Sequence, residues 1–488
     1  MSQDRVVFVN GEAVCIKKGE SLLQAMITNG LEGPFCGGIG LCRRCRIKFL
    51  KNSPLPSITE RDTFSPSELR EGYRLACFIK NESFSGIEEN EKIEAVTCFK
   101  DSIYADRRTR ILSDYEVNTE AILAHARNDT RDDFAVADLG TTTMVMQLID
   151  ATTGSVLDTE RRLNPQMSYG ADVISRIQAS ISGKKKELSE IIQHELLQTL
   201  KELQQRSGHE VEKIYVAANT TMVNLFLGED MHGMAVYPFR AARMESICMK
   251  LGKYELHFLP AISAFVGGDI VAGIKALNMQ KSKAWQLLID LGTNGEIALS
   301  NHEATYVTSA AAGPAFENGK SFYLPGSDII AVIADLLNQK IIDHTGLLQD
   351  NYFAHGYPTD GIIITQADIR EIQKAKAAIY TAIEILLQRA GVMPKDVQKV
   401  FLAGGFGKGL SVSGAFRIGL FQNDFKGKVQ AVSNTSLAGA YLKGLSCACG
   451  LADEDADYMV VKKCIPVEAA LSGQFNEIYL EALNFPGD

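Results

Sequence analysis

The chain has 488 residues, 46% hydrophobic and 22% charged, with 50 Lys+Arg against 59 Asp+Glu for a formal net charge of −9. That balance excludes a disordered polyelectrolyte and argues against sequence-independent nucleic-acid binding, which needs a basic surface to displace counterions. The most apolar long run, residues 261–277, holds Asp269 and Lys275 and is too short and too charged to cross a bilayer, so no membrane span is expected.

The N-terminus alternates polar and apolar residues where a signal peptide would be basic and then apolar, so the chain is expected to stay in the cytoplasm. In a reducing compartment ten cysteines do not make a disulfide framework, and clustered ones mean metal or redox chemistry.

Residues 5–10 and 13–17 read as a β-hairpin turning at Asn10-Gly11, and residues 21–29 as a short amphipathic helix closed by Gly30. Then comes the stretch Cys36-Gly37-Gly38-Ile39-Gly40-Leu41-Cys42-Arg43-Arg44-Cys45, a strand over 46–50, and a distant cysteine, Cys77. The spacing is Cys-x5-Cys-x2-Cys, followed by 31 residues to Cys77. This order resembles the [2Fe–2S] ferredoxin domain, a small α+β, β-grasp fold, with the x5 gap of the adrenodoxin-like branch where plant-type ferredoxins have x4. The resemblance implies Cys36, Cys42, Cys45 and Cys77 as thiolate ligands of iron, and Gly37, Gly38 and Gly40 leave backbone amides free for the cluster sulfurs. A structural zinc site or reduced cysteines in a loop are the alternatives, but zinc knuckles pair two Cys-x2-4-Cys units and only one is present. Cys15 and Cys98 read as buried thiols, and Cys447, Cys449 and Cys464 as free thiols outside any array. Arg43, Arg44, Arg46 and Lys48 crowd the second and third ligands, where their charge would raise the cluster's potential or dock an acidic electron donor.

From about residue 80 to 133 the chain turns polar, with one helical candidate at 116–127, and reads as a linker. Character changes at Phe134-Ala135-Val136-Ala137-Asp138-Leu139-Gly140-Thr141-Thr142-Thr143, an apolar strand ending in Asp-Leu-Gly-Thr before a second strand. The design returns at Leu287-Leu288-Ile289-Asp290-Leu291-Gly292-Thr293-Asn294, an offset of 290 − 138 = 152 residues, and a repeat of that length predicts two related lobes. Helices are expected at 184–205 and 366–390, a strand at 213–218, a strand-turn-helix over 258–277, and a late strand ending in Gly404-Gly405-Phe406-Gly407.

Two Asp-Gly-Thr hairpins and a glycine turn resemble the acetate/sugar kinase, Hsp70 and actin superfamily, the ASKHA fold, over residues 134–445. The resemblance implies an α/β, two-lobed, RNase H-like duplicated domain that binds ATP with Mg2+. Gly140, Thr141, Thr142 and Thr143 in one hairpin and Gly292, Thr293 and Asn294 in the other would grip the phosphates, with Gly404, Gly405, Phe406 and Gly407 under the adenosine. Asp138 and Asp290 would face the metal, directly or through water. Asp269, opening an apolar helix between the lobes, either satisfies backbone amides there or positions the metal or attacking water. Gly319-Lys320-Ser321 is no P-loop, because Pro314 stands where its first glycine belongs.

A [2Fe–2S] domain ahead of an ASKHA domain resembles the reductive activators of corrinoid proteins. The segments 164–173, 311–317 and 373–379 extend the likeness over nearly the whole chain. The expected organisation is a ferredoxin domain at 1–80, a linker at 81–133, one lobe at 134–283 and a second with a C-terminal extension at 284–488. The implied activity is ATP-driven transfer of one electron to the Co(II) corrinoid of a methyltransferase system, regenerating Co(I). Such a cluster sits near about −400 mV, so the transfer is uphill and needs the nucleotide. The implied partners are a corrinoid protein and an electron donor; homodimers are common in this superfamily, and no motif decides the oligomeric state. The loop after the second hairpin, with Thr308, Ser309, Gly313 and Phe316, is the expected partner face. The rival readings are a 2-hydroxyacyl-CoA dehydratase activator, a kinase with a redox-sensing domain, and an Hsp70-like or actin-like binding module.

Overall fold

The computed structural model describes residues 5–17, 20–28, 45–57, 60–61, 64, 66–84, 87, 91–97, 119–124, 132–292, 294–316, 326–359, 362–404, 410–451 and 456–487. The chain divides into two compact units: residues 1–107 with 165–171, and residues 108–164 with 172–488.

In the first unit, β1 (Arg5–Val9) and β2 (Glu12–Ile16) form the expected hairpin. Asn10 and Gly11 both have positive φ, 52° and 89°, which suits the twist of a two-residue turn. Val7, Val9, Val14 and Ile16 point inward and meet Leu22, Leu23 and Met26 of the Leu22–Thr28 helix. Cys15 faces the opposite way and is exposed, so the expectation that it is buried fails on strand alternation. β3 (Arg46–Lys51), β4 (Tyr73–Leu75) and β5 (Glu94–Thr97) complete a mixed sheet of order β2-β1-β5-β3-β4.

The position of β5 corrects the expected linker. This strand sits between β1 and β3, in the middle of the sheet, and Phe84, Ile93 and Ala95 join the core, so the first domain runs past residue 80 to at least 97. Four residues that begin with Glu94 and follow Glu91 and Lys92 carry too short an apolar pattern to read as a strand. Of the helical candidate at 116–127, Thr119–Ala124 is helix.

The second unit holds two six-stranded sheets built to one plan. In the first, β6 (Phe134–Leu139), β7 (Thr143–Ile149) and β8 (Val156–Leu163) form an antiparallel meander, and β9 (Lys213–Ala218) and β11 (Tyr254–Phe258) extend it in parallel with β6. β10 (Ile247–Leu251) is the edge, giving the order β10-β11-β9-β6-β7-β8. The second repeats this with the meander β12 (Trp285–Leu291), β13 (Gly295–Ser300) and β14 (Thr305–Ala310). After a small hairpin, β15 (Tyr357–Thr359) and β16 (Ile362–Ile364), β17 (Val397–Ala403) and β18 (Val429–Ala431) add in parallel to β12, and β19 (Cys464–Pro466) closes the order β18-β17-β12-β13-β14-β19.

Alternation along β12 assigns its two faces. Leu287, Ile289 and Leu291 pack outward under the Gln366–Ala390 and Gly326–Asn338 helices, whereas Leu288 faces a core shared with the other sheet. That shared core contains Phe134, Val136 and Tyr215 from the first sheet and Leu288, Ala298 and Phe401 from the second. The Gly268–Ala276 and Thr435–Ala448 helices fill it. A Cβ on Gly439 would lie 2.3 Å from the carbonyl oxygen of Ala272, so glycine there sets how closely these helices approach. The boundary at 283/284 separates the two sheets, but the Thr435–Ala448 helix, from beyond it, packs against β6 and β9 of the first. The Lys185–Ser207 helix covers the outer face of the first sheet with Leu188, Ile192, Leu196, Leu200 and Leu203.

Candidate functional site

Asp138 and Asp290 are the penultimate residues of β6 and β12, each half-buried between fully buried neighbours. The turns after them close alike: Gly140 N–H donates to Thr143 O at 3.0 Å, and Gly292 N–H donates to Asn294 O at 2.9 Å. The first turn is tied from behind. Asn164 Nδ2 donates to Gly140 O at 2.8 Å, Asn164 N–H donates to Thr142 O at 2.9 Å, and Arg176 Nη2 donates to Thr141 O at 2.5 Å. Arg176 is fully buried and sits on the Val173–Ala179 helix, whose start is fixed by a capping box between Asp172 and Ser175.

Asp269 stands in the first turn of the Gly268–Ala276 helix, and its Oδ1 accepts from Ile270 N–H at 2.8 Å. That bond fulfils its helix-start role, and the side chain is also electrostatically coupled to both hairpin aspartates. Burial raises the Asp138 carboxyl to about 6, against the opposing hydrogen bond from Asn434 and the charge of Arg161. Burial raises Asp269 to about 7, with the charge of Asp138 adding to it. For Asp290 burial, then Asp269 and Asp138, raise the value to about 8. A fourth acid, Glu296 on β13, is 8% exposed and is pushed well above the usual carboxylate range by burial and by Asp269 and Asp290.

Four acids share one site, and like charges in a low dielectric cannot all ionise without a cation among them. The donors are carboxylate oxygens, the set a hard divalent ion such as Mg2+ takes, and since no three of them lie within 4.8 Å of one another, they fit an ion held by one or two carboxylates with waters completing its shell. Two hydrogen bonds span the cleft between the sheets: Asn434 Nδ2 donates to Asp138 Oδ2 at 2.6 Å, and Asn219 Nδ2 donates to Glu296 Oε1 at 3.2 Å. Asn434 caps the Thr435–Ala448 helix and Asn219 caps Thr220–Leu227, so each bridge is anchored at a helix start.

Gly404 ends β17 with φ of +89°, and a Cβ there would lie 2.2 Å from Leu291 O and 2.5 Å from Asp290 Oδ1. Its place against Asp290 therefore requires glycine. Thr293, Gly405, Phe406 and Gly407 lie outside the described residues, as do Cys36 and Cys42 and the side chain of Phe316.

Glu296, Asn219 and Asn434 were not singled out from sequence. The residue paired across the hairpin with the repeated aspartate is Val145 in the first copy and Glu296 in the second, so the repeat conceals Glu296.

Thr308 corrects the expected partner face. It is 2% exposed and its hydroxyl donates to Val467 O at 2.7 Å, so it offers no hydroxyl to a partner. Ser309 is half-buried and is the cross-strand partner of Glu296, which puts both side chains on one side of the sheet. Gly313 opens a 3₁₀ turn with φ of +67°.

In the first unit, Cys45 and Cys77 are 1% and 4% exposed, and their sulfurs lie 3.2 Å apart. Cys77 N–H donates to Cys45 Sγ at 3.5 Å, and Ala76 N–H donates to Cys45 O at 2.8 Å. Glu60 Oε1 accepts from Leu75 N–H at 2.7 Å, which holds β4 and the turn carrying Cys77. Two converging buried thiols with an amide hydrogen on one sulfur fit half of a four-cysteine iron–sulfur site. Arg46 pairs with Glu68 at 2.5 Å and Lys48 with Glu71 at 3.1 Å, so two of the four cations expected to act on the cluster are matched within their own domain.

The family described as 2Fe-2S iron-sulfur cluster binding domain matches residues 7–81. The RACo middle region matches 134–282, and the C-terminal domain of RACo, the ASKHA domain, matches 284–323 and 323–488. Among curated proteins, the corrinoid activation enzyme RamQ of Eubacterium limosum is 31% identical over 378 residues, 63% of each chain. The alignment thus spans less than two thirds of that relative's length. A [Co(II) methylated amine-specific corrinoid protein] reductase of Methanosarcina barkeri is 23% identical over 375 residues, 62% of this chain and 68% of that one. Among solved structures, a reductive activator for corrinoid, iron-sulfur protein superposes with a TM-score of 0.64 at 22% identity, covering 99% of this chain and 98% of that one. That likeness shows the fold: a β-grasp domain followed by a two-lobed ASKHA domain. No described helix is long and apolar enough to cross a membrane. Through both its middle region and its C-terminal ASKHA domain, behind a 2Fe-2S iron-sulfur cluster binding domain, the chain belongs to the RACo family.

Proposed function

We propose that the chain is an ATP-dependent reductive activator that passes one electron to the Co(II) corrinoid of a partner protein and returns it to Co(I). The observation that carries this reading is the carboxyl site, in which Asp138 and Asp290 from the repeated hairpins, Asp269 from the helix between them and Glu296 act on one another across the two sheets. Its relatives' names, corrinoid activation enzyme and Co(II) corrinoid protein reductase, give the substrate class.

In this reading Cys36, Cys42, Cys45 and Cys77 hold a [2Fe–2S] cluster, which supplies one electron at a time. Asp138 and Asp290 hold Mg2+ from opposite lobes. The backbones of Gly140 to Thr143 and Gly292 to Asn294 bind phosphate oxygens, and Gly404 to Gly407 lie under the adenosine. Asp269 would position the metal or the attacking water, and Glu296 would take that water's proton once a cation among the carboxyl groups has brought it to its ionised form. Binding charge between the lobes alters the Asn434–Asp138 and Asn219–Glu296 bridges, and the change in lobe closure drives the uphill transfer. A separate electron-donor protein reloads the cluster, and Ser309 and the 311–316 loop meet the corrinoid protein.

The test is anaerobic. Reduced protein is mixed with a Co(II) corrinoid protein, with and without Mg-ATP, while Co(I) absorbance is followed. Co(I) should form only with the nucleotide, and folded Asp290→Ala should leave cobalt as Co(II). Equal rates in wild type and Asp290→Ala sink the proposal.

A further inference from the structure

We propose a second metal site, for a Zn2+-type divalent ion, on the edge hairpin of the first lobe, formed by Cys248 of β10 with Glu255 and His257 of β11. The proposal stands on geometry and is independent of the function proposed above.

Strand register brings the three together. Cys248 is the cross-strand partner of His257, and Glu255 lies two residues before His257, so all three side chains project from one face of the sheet. Their donor atoms all lie within 4.8 Å of one another. Glu255 Oε1 is 3.6 Å from Cys248 Sγ and 2.7 Å from His257 Nε2. Around a tetrahedral Zn2+, with Zn–S of ~2.3 Å and Zn–N and Zn–O of ~2.0 Å, donor atoms stand about 3.3–3.5 Å apart. The sulfur is already at that spacing, and the carboxylate must withdraw from the ring by roughly half an ångström.

A plain hydrogen-bonded cluster explains the ring less well. His257 Nε2 is buried 2.7 Å from Glu255 Oε1, and no hydrogen bond of ordinary geometry joins the two atoms. Tyr215, stacked on the His257 ring at 4.9 Å and 17°, fixes its orientation, as supporting groups do around metal-bound imidazoles.

The surroundings select the ion. Lys213, Lys250 and Lys443 act electrostatically on the triad, and one carboxylate amid three cations is a poor site for Ca2+ or Mg2+, which need several anionic oxygens. A thiolate and a carboxylate together neutralise one divalent ion, and a sulfur–nitrogen–oxygen set suits Zn2+, with a water as fourth ligand. Binding would staple the exposed edge strand β10 to β11.

The test uses the full chain with its iron–sulfur cluster in place, under anaerobic conditions, in competition with a chromogenic Zn2+ chelator. Wild type should take up one Zn2+ per chain with the cluster absorbance unchanged, and its thermal midpoint should rise with Zn2+. Cys248→Ser and His257→Gln, each checked for a wild-type circular dichroism spectrum, should weaken uptake by about 100-fold or more and abolish the thermal shift. Zn2+ left wholly with the chelator, equal uptake by wild type and Cys248→Ser, or uptake only with loss of the cluster absorbance would overturn the proposal.

Discussion

At the scale of single residues, the chemistry of the cleft is a matter of where protons sit. Asp138, Asp269 and Asp290 hold theirs to about 6, 7 and 8, so the folded state binds protons that the unfolded chain releases near pH 4. A raised carboxyl pKa therefore costs no stability below the unfolded value and costs progressively more as pH climbs to the folded value. Without nucleotide or divalent ion, the thermal midpoint of the two-lobed unit should fall as pH rises from about 5 to 8. Asp290→Asn should flatten that slope and raise the midpoint by a few degrees near pH 8, while ATP-dependent Co(I) formation drops by about 100-fold or more. Calorimetry across that range decides it, and parallel slopes in variant and wild type would refute the assignment. Glu296 calls for a separate variant. Glu296→Gln keeps an oxygen for Asn219 but cannot take a proton, so steady-state ATP hydrolysis should fall by roughly 100-fold with little change in midpoint. An unchanged rate would make Glu296 a bridge between sheets and nothing more. Asp138 and Asp290 were legible in sequence because they recur in a repeated motif; Glu296 was not, because its cross-strand counterpart in the first copy is Val145 and only folding sets it beside Asp269 and Asp290.

At the scale of elements, long periodic segments were readable and short ones were not. The Gln366–Ala390 helix has the bounds its sequence predicts, since Thr365 and Asp368 form a capping box at one end and Gly391 closes the other in the left-handed region. β5 escaped notice because its pairing with β1 and β3 is a long-range choice that four residues do not announce. The contact between the Gly268–Ala276 and Thr435–Ala448 helices was equally hidden, although it carries Asp269 on one side and Asn434 on the other. Glycine at 439 is the condition for it. In Gly439→Val, branched carbons would meet the Ala272 backbone, a contact no rotamer relieves. We expect a loss of about 1–3 kcal/mol, seen as a lower thermal midpoint for the two-lobed unit, together with weaker ATP-dependent activation. The visible spectrum of the cluster should be unaffected, since it belongs to the other compact unit. A stable, fully active Gly439→Val would mean the helices can separate without disturbing the cleft.

At the scale of the whole molecule, the chain joins a 2Fe-2S iron-sulfur cluster binding domain to an ASKHA domain, and the two have separate cores. The core of the first unit is drawn from residues 7–95, and the cores around the repeated sheets from residue 134 onward. Separate cores imply that removing a cluster ligand leaves the switch folded. Cys77→Ser replaces a buried thiol by a hydroxyl, which keeps the shape of the turn after β4 but, under the proposed function, withdraws a thiolate from iron. The variant should lose the visible absorbance of the cluster and with it all reduction of Co(II). Its ATP hydrolysis, stimulated or not by the corrinoid protein, should stay within about twofold of wild type, because the carboxyl site and both hairpin turns belong to the other core. Hydrolysis that disappears with the cluster would show that the two cores do not work independently, and the nucleotide step would then have to be placed after electron loading instead of apart from it.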